Sequence, residues 1–352
     1  MSNGYGAVAL ERVNVMGIHG GDIYRNQVES DFSINVNPLG IPKKVEEALH
    51  QAVGLCGTYP DIKAEKLKRA VAGMLAVSEE YLLFGNGASE LLMSVAHAIQ
   101  AKKTVIPVPS FYGYEYAANA ADSKVVYYGL KQENNFCVSQ DMNRVLTQEV
   151  NCLFLASPNN PTGGLLDPKI ARTILQHCKD NGIFVVLDEC FIEFCGDSYS
   201  MLSLVEEFEN LIVIRAFTKI FSIPGVRIGY LICKDKVLRA KIAAQLPEWN
   251  LSCFAQEAGC ACSGQLPFVR ETVKYIEKER SFLQEGLRQK GFLVFPSMAN
   301  FILIYSKELL YERLLEKGIL IRDCANFRGL GKGFYRIAVK SRKENIYLLE
   351  NL

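Results

Sequence analysis

Residues 211–232 read LIVIRAFTKIFSIPGVRIGYLI. The β-branched run 211–214 predicts a buried strand, and a lone lysine, Lys219, follows it in a short polar patch between apolar neighbours. Pro224 and Gly225 then force a turn, and 226–232 predicts a second buried strand carrying one cation, Arg227. A lysine delivered to the end of a core strand is a candidate for a perturbed, nucleophilic amine. Taken alone, a loop lysine snorkelling between two strands explains the pattern more often.

Outward from this stretch, short apolar runs alternate with amphipathic ones. Strands are predicted at 104–108, 124–128, 151–156, 183–187, 211–214 and 227–232, and helices at 88–100, 111–121, 168–181 and 234–245. Apolar strands separated by helices build a mostly parallel sheet covered on both faces, so the fold class is α/β. Beyond 250 the texture changes. A long helix with interleaved charges, 268–290, leads to half-polar strands at 292–295, 301–304, 319–322 and 334–339, broken by one helix at 307–317. The first 45 residues are dense in Gly, Asn and Pro and must be pinned by something else, and helices are predicted at 43–53 and 62–76. The expected organisation is an N-terminal segment, 1–45, completing a smaller α+β domain, 251–352, beside a large domain, 46–250.

A chain of 352 residues with 49% hydrophobic and 22% charged residues has the composition of an ordinary globular protein. Its net charge of +1 offers no strong pull toward nucleic acid or an anionic membrane. The first residues lack a basic stretch followed by a long apolar one, and no apolar run is long enough to span a bilayer, so a cytoplasmic location is expected. Most of the 11 cysteines, such as Cys152, Cys190 and Cys233, lie in apolar runs and behave as small core hydrophobes. Cys260 and Cys262 form a C-x-C with no second cysteine pair or histidine near, so no metal site is expected.

In open α/β sheets ligands sit at the carboxyl ends of the strands. The strand at 81–84 runs into Gly85-Asn86-Gly87-Ala88-Ser89-Glu90, which opens a helix; a helix cap and a phosphate cradle account for it equally. As a dinucleotide fingerprint it fails for want of the third glycine, which disfavours a nicotinamide dehydrogenase. The strand at 151–156 ends in Ser157-Pro158-Asn159-Asn160-Pro161-Thr162-Gly163, where prolines hold Asn160 out of helix. A well-made turn explains that segment as well as an aimed amide does. The strand at 183–187 ends in Asp188-Glu189, and a carboxylate there is costly unless a cation meets it. Asn160, Asp188 and Lys219 are spaced by one crossover unit of about 30 residues each, so all three reach one edge. An amine in an apolar crevice, a carboxylate facing a pyridine nitrogen, a donor to a ring hydroxyl and a phosphate cradle together suit pyridoxal phosphate.

SPNNPTG, LDE and FTKIFSIPGVRIGY together resemble the class I/II aminotransferase superfamily, pyridoxal-phosphate enzymes of fold type I, over nearly the whole chain. Within it the chain is similar to the histidinol-phosphate aminotransferases and to the threonine-phosphate decarboxylases of cobalamin synthesis. The resemblance implies that Lys219 links to the cofactor aldehyde, Asp188 pairs with the pyridinium nitrogen and Asn160 donates to the ring hydroxyl. It implies that Phe111 stacks on the ring, and that Gly87, Ala88, Ser89, Thr218 and Arg227 hold the phosphate. Tyr59 would reach the phosphate of a neighbouring subunit, which implies a homodimer. Arg336 would take the substrate α-carboxylate, with Arg322 and His19 near a second anion, a phosphate in these relatives.

Two features depart from the pattern. Phe191 stands three residues after Asp188, where the aminotransferases commonly have tyrosine. The entrance segment Pro247-Glu248-Trp249-Asn250-Leu251-Ser252 is one residue longer than in the decarboxylases, and a carboxylate beside an anionic substrate would repel it. The expected activity is therefore an aminotransferase acting on a small amino acid or amine with a second anion. Threonine-phosphate decarboxylation is the alternative, and a non-catalytic pyridoxal-phosphate-binding regulatory module the alternative of another class.

Overall fold

The computed structural model describes residues 22–26 and 28–352. Its strands are β1 (Ser30–Asp31), β2 (Leu82–Gly85), β3 (Lys103–Val108), β4 (Lys124–Gly129), β5 (Cys152–Ala156), β6 (Phe184–Asp188), β7 (Leu211–Ala216), β8 (Gly229–Cys233), β9 (Leu293–Val294), β10 (Phe301–Tyr305), β11 (Ile319–Leu320), β12 (Arg322–Asp323) and β13 (Phe334–Ala338). Seven of them form one sheet in the order β2-β8-β7-β6-β5-β3-β4. From β7 to β4 every pairing is parallel. All residues of β7 and β8 are buried, which a strand achieves only when both faces of its sheet are covered.

β8 is the exception in direction, antiparallel to both β7 and β2. The link from β7 holds only the short helix Phe217–Ile220 and a 3-10 turn, Pro224–Val226, too little to cross the sheet. The chain therefore turns back. The strand begins at Gly229 rather than at 226 or 227, because Arg227 sits in the left-handed region at φ 59° and cannot continue a ladder.

A second sheet, in the order β12-β13-β10-β9, is antiparallel. The single strand expected at 319–322 is two: β11 pairs in parallel with β1, and β12 joins the four-stranded sheet. The helix Cys253–Ser263 was not legible in the sequence, since CFAQEAGCACS has no charged face to mark a helical period. It packs closely on the helix Glu65–Leu75: a Cβ on Gly259 would lie 2.6 Å from Leu67 Cδ1. No helix among the described residues is long and apolar enough to cross a membrane.

What pins the glycine- and asparagine-rich N-terminal segment is the lysine turn itself. Asn37 donates its backbone N–H to Lys219 O (3.0 Å) and its amide to Ile220 O (2.8 Å) and Thr272 Oγ1 (2.8 Å). In return Asn37 O accepts from Ser222 Oγ (2.5 Å). Thr272 lies on the long helix Leu266–Gln289, so one buried amide ties three parts of the chain to the backbone around Lys219. Replacing Asn37 with Ala strands the Ile220 carbonyl, and we predict a loss of about 1–3 kcal/mol in urea unfolding with an unchanged denaturant slope.

Candidate active site

β5 and β6 end level, Ala156 being paired with Asp188, and β7 runs two residues further, to Ala216, past the Ile214 that pairs with Asp188. Their carboxyl ends share one edge. Because β8 runs the other way, its first residue, Gly229, meets the same edge, opposite both Ala216 and Gly85. The edge therefore collects Asn160, Asp188, Lys219, Arg227 and the Gly85–Ser89 loop, as the crossover spacing predicts.

Burial holds the Lys219 amine below the ordinary lysine value; the Cys190 thiol opposes this, and the guanidinium groups of Arg336 and Arg227 reinforce it. Asp188 is gripped at both oxygens. Tyr114 Oη–H donates to Oδ2 at 2.7 Å and the Cys190 N–H to Oδ1 at 2.9 Å. Its neighbour in sequence turns away: Glu189 is fully buried and takes Arg215 Nε and Nη2 at 3.0 and 2.8 Å, so this acid is part of the scaffold. The Asn160 side-chain oxygen accepts from Arg336 Nη1. That contact leaves the Asn160 amide N–H group for a ligand.

Gly87 stands at φ +81°, and a Cβ there would lie 2.5 Å from Arg227 Nη2. The glycine is thus needed both for the backbone conformation and for the approach of the guanidinium. Gly87 also precedes the helix Ala88–Ile99, whose N-terminus no side chain caps. Unfilled N–H groups, the helix dipole and Arg227 together form a receptor for a phosphate. Gly229 lets β8 pass beneath, since its Cβ would come within 2.8 Å of Ala88 N. Thr218 is buried next to Lys219, and Ser89 is exposed at the mouth of the loop.

Arg322 and Arg336 face each other across β12 and β13 in direct register. Both are buried, and burial pushes Arg336 down to about 10, with Arg322 adding to the effect, which leaves it charged at neutral pH. Arg336 is held by Ser33 O at 2.7 Å and, with its amide oxygen turned inward, by Asn35 at 3.1 and 3.3 Å. Arg322 donates to Asp323 O and to Asn326 Oδ1 (2.8 Å) and lies 5.1 Å over the Phe327 ring.

The remaining expected residues divide. Phe111 is half-buried, edge-on to Tyr114 at 5.6 Å. Tyr59 is 81% exposed and packs on Trp249, with ring centroids 5.0 Å apart. His19 lies outside the described residues. Phe191 packs edge-on against Phe301 at 5.1 Å. Glu248, expected beside the substrate anion, is exposed; its segment is tied through Asn250 to Phe84 O and Glu90, and the groups that act on Arg336 and Arg322 are others.

The sequence profile described as Aminotransferase class I and II matches residues 29–352. The chain belongs to this family. It is 39% identical over 343 residues to a putative threonine-phosphate decarboxylase of Caldanaerobacter subterraneus subsp. tengcongensis, covering 95% of this chain and 92% of that one. Its structure resembles the histidinol-phosphate aminotransferase from Clostridium acetobutylicum at a TM-score of 0.87 and 34% identity, covering 92% of this chain and 98% of that one. For the L-threonine-O-3-phosphate decarboxylase from Porphyromonas gingivalis the TM-score is 0.79 at 25% identity, with 91% and 97% covered. The chain is a pyridoxal-phosphate-dependent enzyme of fold type I.

The residues present fit that cofactor: a buried amine of lowered pKa, a carboxylate fixed at both oxygens, and an uncapped helix N-terminus beside an arginine. Sequence reasoning missed Tyr114, Ser33, Asn35 and Asn37. For the last three a signal existed, since S-I-N-V-N alternates with period two. Its polar members are the buried ones, at 1%, 4% and 2% exposure, and Ile34 and Val36 are only half-buried. An alternation with its polar face inward marks a segment laid along a polar site, although no strand forms there beyond β1. We predict that Gly87→Ala weakens pyridoxal phosphate binding to the apoenzyme by about tenfold or more in a fluorescence titration. Gly73→Ala, where nothing lies within 4 Å of the added Cβ, leaves it unchanged.

Proposed function

We propose that this enzyme transfers the amino group of a small amino acid or amine bearing a second anion of phosphate type. The observation that carries this is the buried pair Arg322 and Arg336, two guanidinium groups on one wall of the site, which suits a substrate with two anionic ends. Arg336 takes the α-carboxylate in a bidentate grip, and Arg322, with His19, takes the second anion. Lys219 would hold the cofactor aldehyde through its amine. Gly87, Ala88, Ser89, Thr218 and Arg227 would hold the phosphate, Phe111 would cover the ring, Asn160 would donate to the ring hydroxyl, and Asp188 would pair with the ring nitrogen. Pyridoxal phosphate held there would supply an electron sink for the pair left when a bond at the substrate Cα breaks. The Lys219 amine would serve as the base that takes a proton from the substrate Cα, a role its lowered pKa favours. Tyr59 extends from the surface into the site of a second subunit, making the working unit a cytoplasmic homodimer.

Transamination is favoured by the closer structural overlap with the aminotransferase, TM-score 0.87 against 0.79. The second reading, decarboxylation of threonine phosphate, is favoured by the 39% identity to the putative decarboxylase. The two readings differ in which Cα bond would break, the one to hydrogen or the one to the carboxylate. The test incubates the purified holoenzyme with O-phospho-L-threonine, and separately with histidinol phosphate plus 2-oxoglutarate. Transamination converts the cofactor to its pyridoxamine form and consumes the keto acid. Formation of aminopropanol phosphate with no keto acid present overturns the first reading in favour of the second. In either case Arg322→Ala raises KM for the phosphorylated substrate by about tenfold or more and spares half-reactions of unphosphorylated amino acids.

A further inference from the structure

Tyr114 is buried to 2% exposure at the start of the helix Gly113–Ala120, and its ring is clamped on two sides. It stacks on Phe154 at 5.4 Å with the planes 8° apart, and stands edge-on to Phe111 at 5.6 Å. Phe154 belongs to β5, whose side chains are fixed by the sheet. The ring therefore has no freedom to swing, and its hydroxyl is delivered to one place, Asp188 Oδ2, at 2.7 Å. The other carboxylate oxygen receives the Cys190 N–H at 2.9 Å. Each oxygen accepts one protein donor and keeps a lone pair for a ligand.

From this geometry we propose that Tyr114 is a positioning residue for the cofactor: its hydroxyl aims the Asp188 carboxylate and shares its charge, and so sets the pH range over which the pyridine nitrogen stays protonated. The physical reason is that a hydrogen bond donated to a carboxylate is strong because the acceptor carries the charge, and it draws off part of the negative charge that the carboxylate would otherwise present to a cationic ring. Burial first, and then the charge of Asp188, hold the Tyr114 phenol well above its ordinary value, so it remains a donor throughout the working range. The Cys190 N–H and thiol both act on the same carboxylate, and Tyr114→Phe removes the phenol hydroxyl while leaving them in place.

This inference rests on Asp188 facing the ring nitrogen, and its test separates the two. The full-length enzyme is loaded with pyridoxal phosphate carrying nitrogen-15 in the ring, and the ring nitrogen shift is followed from about pH 6 to pH 9 by NMR, where neutral pyridines and pyridinium ions are well separated. For Tyr114→Phe, which keeps the stacked ring, we expect the nitrogen to lose its proton at a pH higher by about one unit or more, because the carboxylate no longer shares its charge with the phenol. For 3-fluorotyrosine at position 114, whose phenol is the more acidic donor, we expect the transition to move the other way. Thermal unfolding of each loaded protein reports whether the fold survives. A purely structural role predicts the wild-type titration in both variants and overturns the proposal, as does a shift in the same direction for both. Asp188→Asn is the control: if the ring nitrogen titrates in it as in the wild type, Asp188 does not face that nitrogen and the role assigned to Tyr114 falls with it.

Discussion

The site depends on three parallel strands ending at one edge of the sheet. Ala156, the last residue of β5, is the register partner of Asp188, the last of β6, and β7 runs two residues beyond Ile214, the partner of Asp188, so that each strand end brings one chemically distinct group to that edge. Parallel pairing is what makes this possible, because every strand must be returned to the same starting edge by a crossover. The reversal of β8 adds to the arrangement: it delivers Arg227 to the edge from the opposite direction and closes the phosphate end against Gly87. The cost is a non-glycine residue at φ 59°, of the kind that persists only where surrounding structure over-determines it.

Around that edge the protein spends its buried polar groups on holding functional side chains. The segment from Ser33 to Asn37 lies along the site with its polar residues inward; Ser33 and Asn35 orient Arg336, and Asn37 fixes the backbone at Lys219 and Ile220. Asp188 has Tyr114 and Cys190. Arg215 and Glu189, both buried, neutralise each other through two N–H donors on the one oxygen Oε2, so the second acid of the LDE motif adds no net charge to the crevice.

Much of this was legible in the sequence because the strong signals are local. Apolar runs bounded by turn residues located β3 to β7 to within one or two residues, and the spacing of Asn160, Asp188 and Lys219 placed them on one edge. What escaped was set by tertiary contacts. The start of β8 was misjudged because Val226 and Arg227 fit a strand by type, and only the left-handed turn excludes them. The division of 319–322 between two sheets follows from pairing with β1, a two-residue strand too short to carry a pattern. Tyr114 lies in a predicted helix, and nothing in its sequence neighbours reports that its hydroxyl meets a residue 74 positions on.

The central claim is that these groups converge so that Lys219, and no other lysine, carries the cofactor. It is tested most directly by reducing the holoenzyme with borohydride, digesting it and locating the added phosphopyridoxyl mass by tandem mass spectrometry. The account predicts loss of the visible absorbance with the label confined to the peptide containing Lys219. A label on a different lysine, or a bleached cofactor that dialyses away without labelling the chain, would contradict it.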